Sequence, residues 1–155
     1  MNNENHSPYP KFLVMIATST VVMMILMYLN TYALDHIFWS ETRAYMAVLM
    51  SAAMAIVMLV FMLGMYPNKA VNFAIFGGAA AVFALCLWLV RSQASVGEIS
   101  WMKAMIPHHS IAILTSERAT IKDPRVRELA DKIIEAQRKE IAEMKGLIAD
   151  LEAKK

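Results

Sequence analysis

The sequence predicts an all-α chain in which three transmembrane helices precede a C-terminal antiparallel helical hairpin, and three observations carry that prediction. Its 155 residues are 58% apolar and 18% charged, where soluble domains hold about 45–50% and about 25%. The charge is segregated, with 12 of the 15 Lys/Arg and 10 of the 13 Asp/Glu in residues 91–155. In that tail the apolar residues recur at helical rather than alternating spacing. The chain therefore divides into a membrane segment, residues 1–91, and a water-facing hairpin, residues 92–155.

Phe12–Leu34, Tyr45–Tyr66 and Val71–Val90 are uncharged apolar runs, and about 20 helical residues suffice to cross a bilayer. Lys11, Tyr32, Trp39, Arg43, Tyr45, Tyr66, Lys69, Trp88 and Arg91 flank them, as interfacial anchoring requires. Thr31-Tyr-Ala33 faintly resembles a signal cleavage site, but the 23-residue apolar run before it exceeds the roughly 7–15 residues of a signal core. A retained anchor is expected. The short Tyr66–Ala70 link makes the second and third runs an antiparallel pair, and Gly77-Gly-Ala-Ala-Ala81 provides a small-residue face for close helix contact.

Met46, Met50, Met54, Met58 and Met62 recur at every fourth position of the second run, drifting about 40° around the helix at each step. Such a ladder suits either a Cu(I) relay or flexible apolar packing. No His, Cys or carboxylate interrupts it to build a site, which favours packing. Cys86 is the one cysteine, so no intrachain disulfide exists and a packing role is expected.

In the tail, Ser95–Ala119 reads as a helix with Pro107 as a candidate bend, and Asp123-Pro124 as the N-cap and first position of the next. Val126, Leu129, Ile133, Ile141, Met144, Ile148 and Leu151 form that helix's apolar stripe. A lone hairpin buries little surface, so it is expected to pack in a homo-oligomer, completing a four-helix bundle, or against the membrane-proximal surface. A net charge of +2 argues against nucleic acid as a partner and leaves membrane lipid as the expected one.

The residues with chemical potential converge in this hairpin. Pairing across a turn near residues 121–123 joins positions whose numbers sum to about 245. That sets His108 or His109 beside Gln137, Met105 beside Glu140, and Met102 beside Met144. Gln137, Glu140 and Met144 share the core-facing stripe with Ile141, where an unpaired amide or carboxylate is costly. Thioether and imidazole together suit copper better than zinc, magnesium or calcium. Two readings follow: a metal site, or Gln137 and Glu140 bonding the histidines to hold helix register while the methionines fill the core. No Ser or Cys nucleophile is paired with a base, no phosphate loop is present, and Glu-x-x-His pairs of di-metal bundles are missing. An enzyme is not expected.

Met105-Ile-Pro-His-His109 with Ala112, Asp123-Pro124, and Gln137-Arg-Lys-Glu-Ile-Ala-Glu-Met144 together resemble the domain-of-unknown-function family 305. That group is small, helical and ferritin-like, and its secreted relatives include CopM-type copper-binding proteins. The resemblance covers roughly Ser100–Leu151, and the membrane half looks like that of three-span members. It implies Met105, His108, His109 and Met144 as copper ligands or their neighbours, with Met102 on the same face and Gln137 and Glu140 supporting. It further implies metal homeostasis or resistance. Thr115 stands where the family often has methionine, removing one thioether.

Three spans put the two chain ends on opposite faces. Lys11 and Lys69 on one side balance Arg43, Arg91 and Lys103 on the other, so the positive-inside rule does not choose between them. The secreted relatives imply a bacterial inner-membrane protein with its hairpin periplasmic or extracellular, on the same side as Asp35, His36 and Glu41.

Overall fold

The structure, a computed structural model, describes residues 7–154; the outer ends of the two predicted segments, 1–6 and 155, lie outside the described residues. Five α-helices follow in order: α1 Pro8–Leu26, α2 Glu41–Phe61, α3 Lys69–Ser92, α4 Glu98–Arg118 and α5 Pro124–Ala153, with 3-10 turns at Leu34–His36 and Leu63–Met65. No strand occurs among the described residues. The all-α prediction, with its C-terminal hairpin, holds. α1, α2 and α3 are each long and apolar enough to cross a bilayer.

Local rules account for three helix ends. Asn68 caps α3 by accepting the Val71 N–H at 3.2 Å. Gln93 closes the same helix in the left-handed region at φ 54°, its N–H reaching Leu89 O. Asp123 caps α5 by accepting the Arg125 N–H at 2.9 Å, with Pro124 at the first helical position. α4 runs through Pro107 without a break.

The end of α1 follows no local rule. The apolar run continues to Leu34, yet the helix stops at Leu26. Arg43 Nη1 donates to Met27 O at 2.7 Å, supplying both a donor and a cation where a helix terminus has spare carbonyls. Its guanidinium also lies 4.5 Å from the Tyr28 ring centroid, and the Tyr28 hydroxyl donates to Phe38 O at 2.7 Å. The residues after Leu26 turn back on themselves.

The chain forms two compact units. The first takes the described residues through Leu26 and Ala44–Ala94. Its core joins Phe12, Ala55, Leu59 and Tyr66, with Phe12 edge-on to Tyr66 at 5.5 Å. Ala47, Ser51, Ala52 and Ala55 are the buried small residues, all on α2. Ser51 gives its proton to Ala47 O and stands 2.6 Å from the Thr20 hydroxyl. Gly77 and Gly78 are exposed with open space around them, while Ala79 of the predicted Gly77–Ala81 stretch packs against this core. The methionines at four-residue spacing follow the drift of the helix: Met46 is exposed, while Met58 and Met62 pack against the core. Cys86 is buried and free.

The second unit joins the described residues from Ser95 onward to Met27–Arg43. Met102, Ile106 and Ile113 of α4 pack against Ile141, Met144 and Ile148 of α5, with Phe38 of the earlier segment against them. Val126 and Leu129, predicted in the apolar stripe, are instead exposed. At that level Arg127 occupies the side toward α4, donating to Ser116 O at 2.9 Å, and Ala130 is the buried residue. Segment Met27–Arg43 docks through polar contacts. Ser110, fully buried, accepts the Tyr32 N–H at 2.7 Å and lies 2.9 Å from His36 Nδ1. Lys145 pairs with Asp35 at 2.5 Å, and the Ser100 hydroxyl donates to Glu41.

Ser110→Ala deletes one hydroxyl and leaves both the Tyr32 N–H and His36 Nδ1 without it in a part-buried place. We expect it to destabilise the second unit by about 1–3 kcal/mol and to speed hydrogen exchange at the Tyr32 amide. An unchanged exchange rate there would mean that the hydroxyl does not hold the segment.

Candidate metal site

One turn of α4 carries Met105, His108 and His109, and the opposing stretch of α5 carries Gln137, Glu140 and Met144. His109 is mostly buried, its Nδ1 lying 3.0 Å from Glu140 Oε2. The contact lacks the alignment of a hydrogen bond, leaving Nδ1 buried without a hydrogen-bonding partner. Gln137 Nε2 donates to the same Glu140 oxygen at 3.1 Å. One carboxylate oxygen thus serves both helices.

Interhelical side-chain contacts fall around and above the predicted sum of 245. Arg127–Ser116, His109–Glu140, Lys103–Glu152 and Arg138–Glu117 join numbers summing to 243, 249, 255 and 255, and the larger offsets belong to long charged side chains. Glu140 meets His109, one turn from the Met105 predicted beside it.

Glu140 and Gln137 also sit farther out than predicted. The Glu140 side chain is 48% exposed, which keeps the carboxylate solvated and removes the penalty expected of a core position. Met102 and Met144 are buried in the apolar core, with Met105 packed against its edge. His108 is exposed, its ring centroid 6.2 Å from that of His109 and tilted by 58°. The structure thus brings His109, Gln137 and Glu140 together at the rim and gathers the three thioethers inward. His108 faces water. Among the described residues no three or more His, Cys, Asp or Glu converge on one point.

Sequence reasoning missed Ser110 and its partners. A signal existed: Ile106, Ser110 and Ile113 are spaced i, i+4, i+7, which puts a hydroxyl on the buried face of α4. Its partners, Tyr32 and His36, are more than seventy residues away, and no spacing rule reaches them.

Burial holds His109 below the usual histidine value of 6.5, with Glu140 opposing and His108 reinforcing that shift. Burial likewise lowers His36, helped by Lys145 and opposed by Asp35. The hydrogen bond from Lys145 lowers the Asp35 carboxyl. Both rings are therefore neutral at pH 7, and a neutral imidazole is the form that binds metal.

Residues 92–155 match the family described as Domain of unknown function (DUF305). An uncharacterized protein of Acanthamoeba polyphaga mimivirus is 36% identical over 69 residues, covering 43% of this chain and 45% of that protein. The chain thus spans about half the length of the relative it matches. No solved structure matches.

The depressed histidines set a pH dependence. Above pH 6.5 both rings are neutral whether the chain is folded or unfolded, and their contribution is fully present. As pH falls, the unfolded chain takes up protons first, and stability is lost until the folded values are passed. Asp35, lowered from 3.8, adds its loss only below that range. The thermal midpoint of the second unit should fall between pH 7 and pH 5, and less so in His36→Asn, His109→Asn. An equal fall in that variant would assign the effect to other groups.

Proposed function

We propose that this chain is a membrane-anchored copper-binding protein serving metal homeostasis or resistance, and not an enzyme. Three helices hold it in the bilayer and the hairpin carries the site on the outer face. The observation that carries this reading is a neutral His109 held 3.0 Å from Glu140, one turn from Met105 and adjacent to His108. The donor set fits copper: imidazole serves either oxidation state, and thioether favours Cu(I).

In this reading Glu140 orients the ring from the Nδ1 side, leaving Nε2 for the metal, as carboxylates behind metal-bound histidines commonly do. Gln137 fixes Glu140. His108 supplies a neighbouring donor from the exposed side and Met105 one from the edge of the core, while Met102 and Met144 back the site from within it. Copper bound there would supply soft Lewis acidity; the side chains capture it and exclude harder cations. The resemblance to CopM-type proteins and the family match over residues 92–155 support the reading. The secreted relatives support an outward-facing hairpin.

The deciding measurement is Cu(I) competition on the detergent-purified full chain. His108→Ala, His109→Ala should lose tight binding, and Glu140→Gln should weaken it about 10–100-fold. Met50→Leu, Met54→Leu, Met58→Leu keeps volume and apolarity and should leave binding intact. Loss in the methionine variant with retention in the histidine variant would move the site into the bilayer and replace capture by transport.

A second reading rests on Val126 and Leu129, which α5 exposes at 49% and 57%. Here the hairpin is a helical oligomer with membrane lipid around its spans, and the Gln137–Glu140–His109 bridge only sets register. Crosslinking in mild detergent should trap multiples of the chain, fewer after Val126→Glu, Leu129→Glu. A pure monomer would remove this reading. Glu140→Gln separates the two, lowering stability without changing metal content if register is its whole role.

A further inference from the structure

The second unit exposes large apolar side chains at one end in a pattern that neither copper capture nor hairpin packing uses. One groove, of about 500 Å³, is lined by Val96, Trp101, Leu147 and Leu151, with Glu98, Asp150 and Lys154 at its margin. A second, of about 740 Å³, is lined by Ile37, Trp39, Ile99 and Leu151, with Glu41, Glu98 and Lys103 at its margin. They share Glu98 and Leu151 and so flank the same end of the hairpin. Trp39 is 64% exposed, Trp101 49% and Leu147 46%. Leaving three such side chains in water is unfavourable, and the polar groups beside them are of both signs.

The covalent chain identifies what covers this end. Two of the three links between the second unit and the apolar helices leave from it: α2 starts at Glu41, two residues after Trp39, and α4 starts at Glu98, six residues after α3 ends at Ser92. Two residues of extended chain reach about 7 Å, and six about 20 Å. Trp39 is therefore tethered within the depth of a headgroup layer. The indole ring is apolar with a polar N–H, which suits it to that layer, and a lysine beside it extends its ammonium to water over an apolar stem.

We infer that this end of the second unit is a lipid-seating surface, with Trp39 and Trp101 inserted among zwitterionic headgroups and Leu147 beside Trp101. Mixed charge at the margin makes anionic lipid unnecessary. Seating holds the start of α4 at the bilayer surface, and His109 follows eight residues after Trp101, up to about 12 Å farther along the helix. The candidate metal site would then stand in water at a set height above the lipid. The inference rests on the proposed membrane anchoring.

The test uses full-length chain in phosphatidylcholine nanodiscs with single tryptophans: Trp88→Phe, Trp101→Phe leaves Trp39; Trp39→Phe, Trp88→Phe leaves Trp101; Trp39→Phe, Trp101→Phe leaves Trp88. We expect brominated phosphatidylcholine to quench most of the emission of Trp39 and of Trp101, and acrylamide to quench little. Quenching by acrylamide and not by bromolipid would overturn the inference, since the rings then face water. Protection from both quenchers would also overturn it, since protein, most simply a second copy, then covers them. Trp88 on α3 reports the premise: if bromolipid fails to quench Trp88, the anchoring itself is wrong, whereas Trp88 quenched with Trp101 in water rejects only the seating.

Discussion

Ser110 places a hydroxyl where α4 has no access to water, and a buried hydroxyl must find partners. It finds them in the Tyr32 N–H and the His36 ring. Satisfying one polar group thereby fixes the path of segment Met27–Arg43. With the segment held, Phe38 reaches the hairpin core, Asp35 meets Lys145, and Glu41 meets Ser100. A hairpin of two helices would otherwise bury only one face of α4. The third layer it needs comes from residues that, by composition, belong to the membrane segment.

The same contact bears on the candidate site, because Ser110 adjoins His109 on the same turn. The buried side of that turn is anchored by the segment, while Glu140 and Gln137 meet it from α5. The turn is thus supported on two sides without His108, which stays in water. A binding group benefits from such support, because a ring already held in place loses less freedom when it takes a ligand. The structure places imidazole and carboxylate at the rim and the thioethers at or within the core.

Electrostatics in the second unit follow burial more than pairing. Each partly buried histidine has a carboxylate nearby, Asp35 for His36 and Glu140 for His109, yet burial outweighs both and keeps the rings neutral. Lys145 contributes twice, holding Asp35 as a carboxylate and discouraging charge on His36. The outward placement of Glu140 has the same origin. A carboxylate with one amide partner and one misaligned imidazole stays where water completes its solvation.

Features that depend on a few neighbouring residues were legible in the sequence. Charge segregation marked the membrane-length helices, Asp123-Pro124 marked the start of α5, and helical spacing identified Ile141, Met144 and Ile148 as core. The convergence of His109 with Gln137 and Glu140 was also legible, because antiparallel helices joined by a short link have few ways to pair. Where α1 stops, which charged groups bridge the hairpin, and what Ser110 binds were decided only by tertiary structure. Each depends on a partner remote in sequence: Arg43 on Met27, Glu152 on Lys103, Tyr32 and His36 on Ser110. Periodicity reports which face of a helix avoids water, because that choice is made within a turn. It carries no information about which distant polar group will satisfy a buried one, because that match is made only when the chain closes on itself.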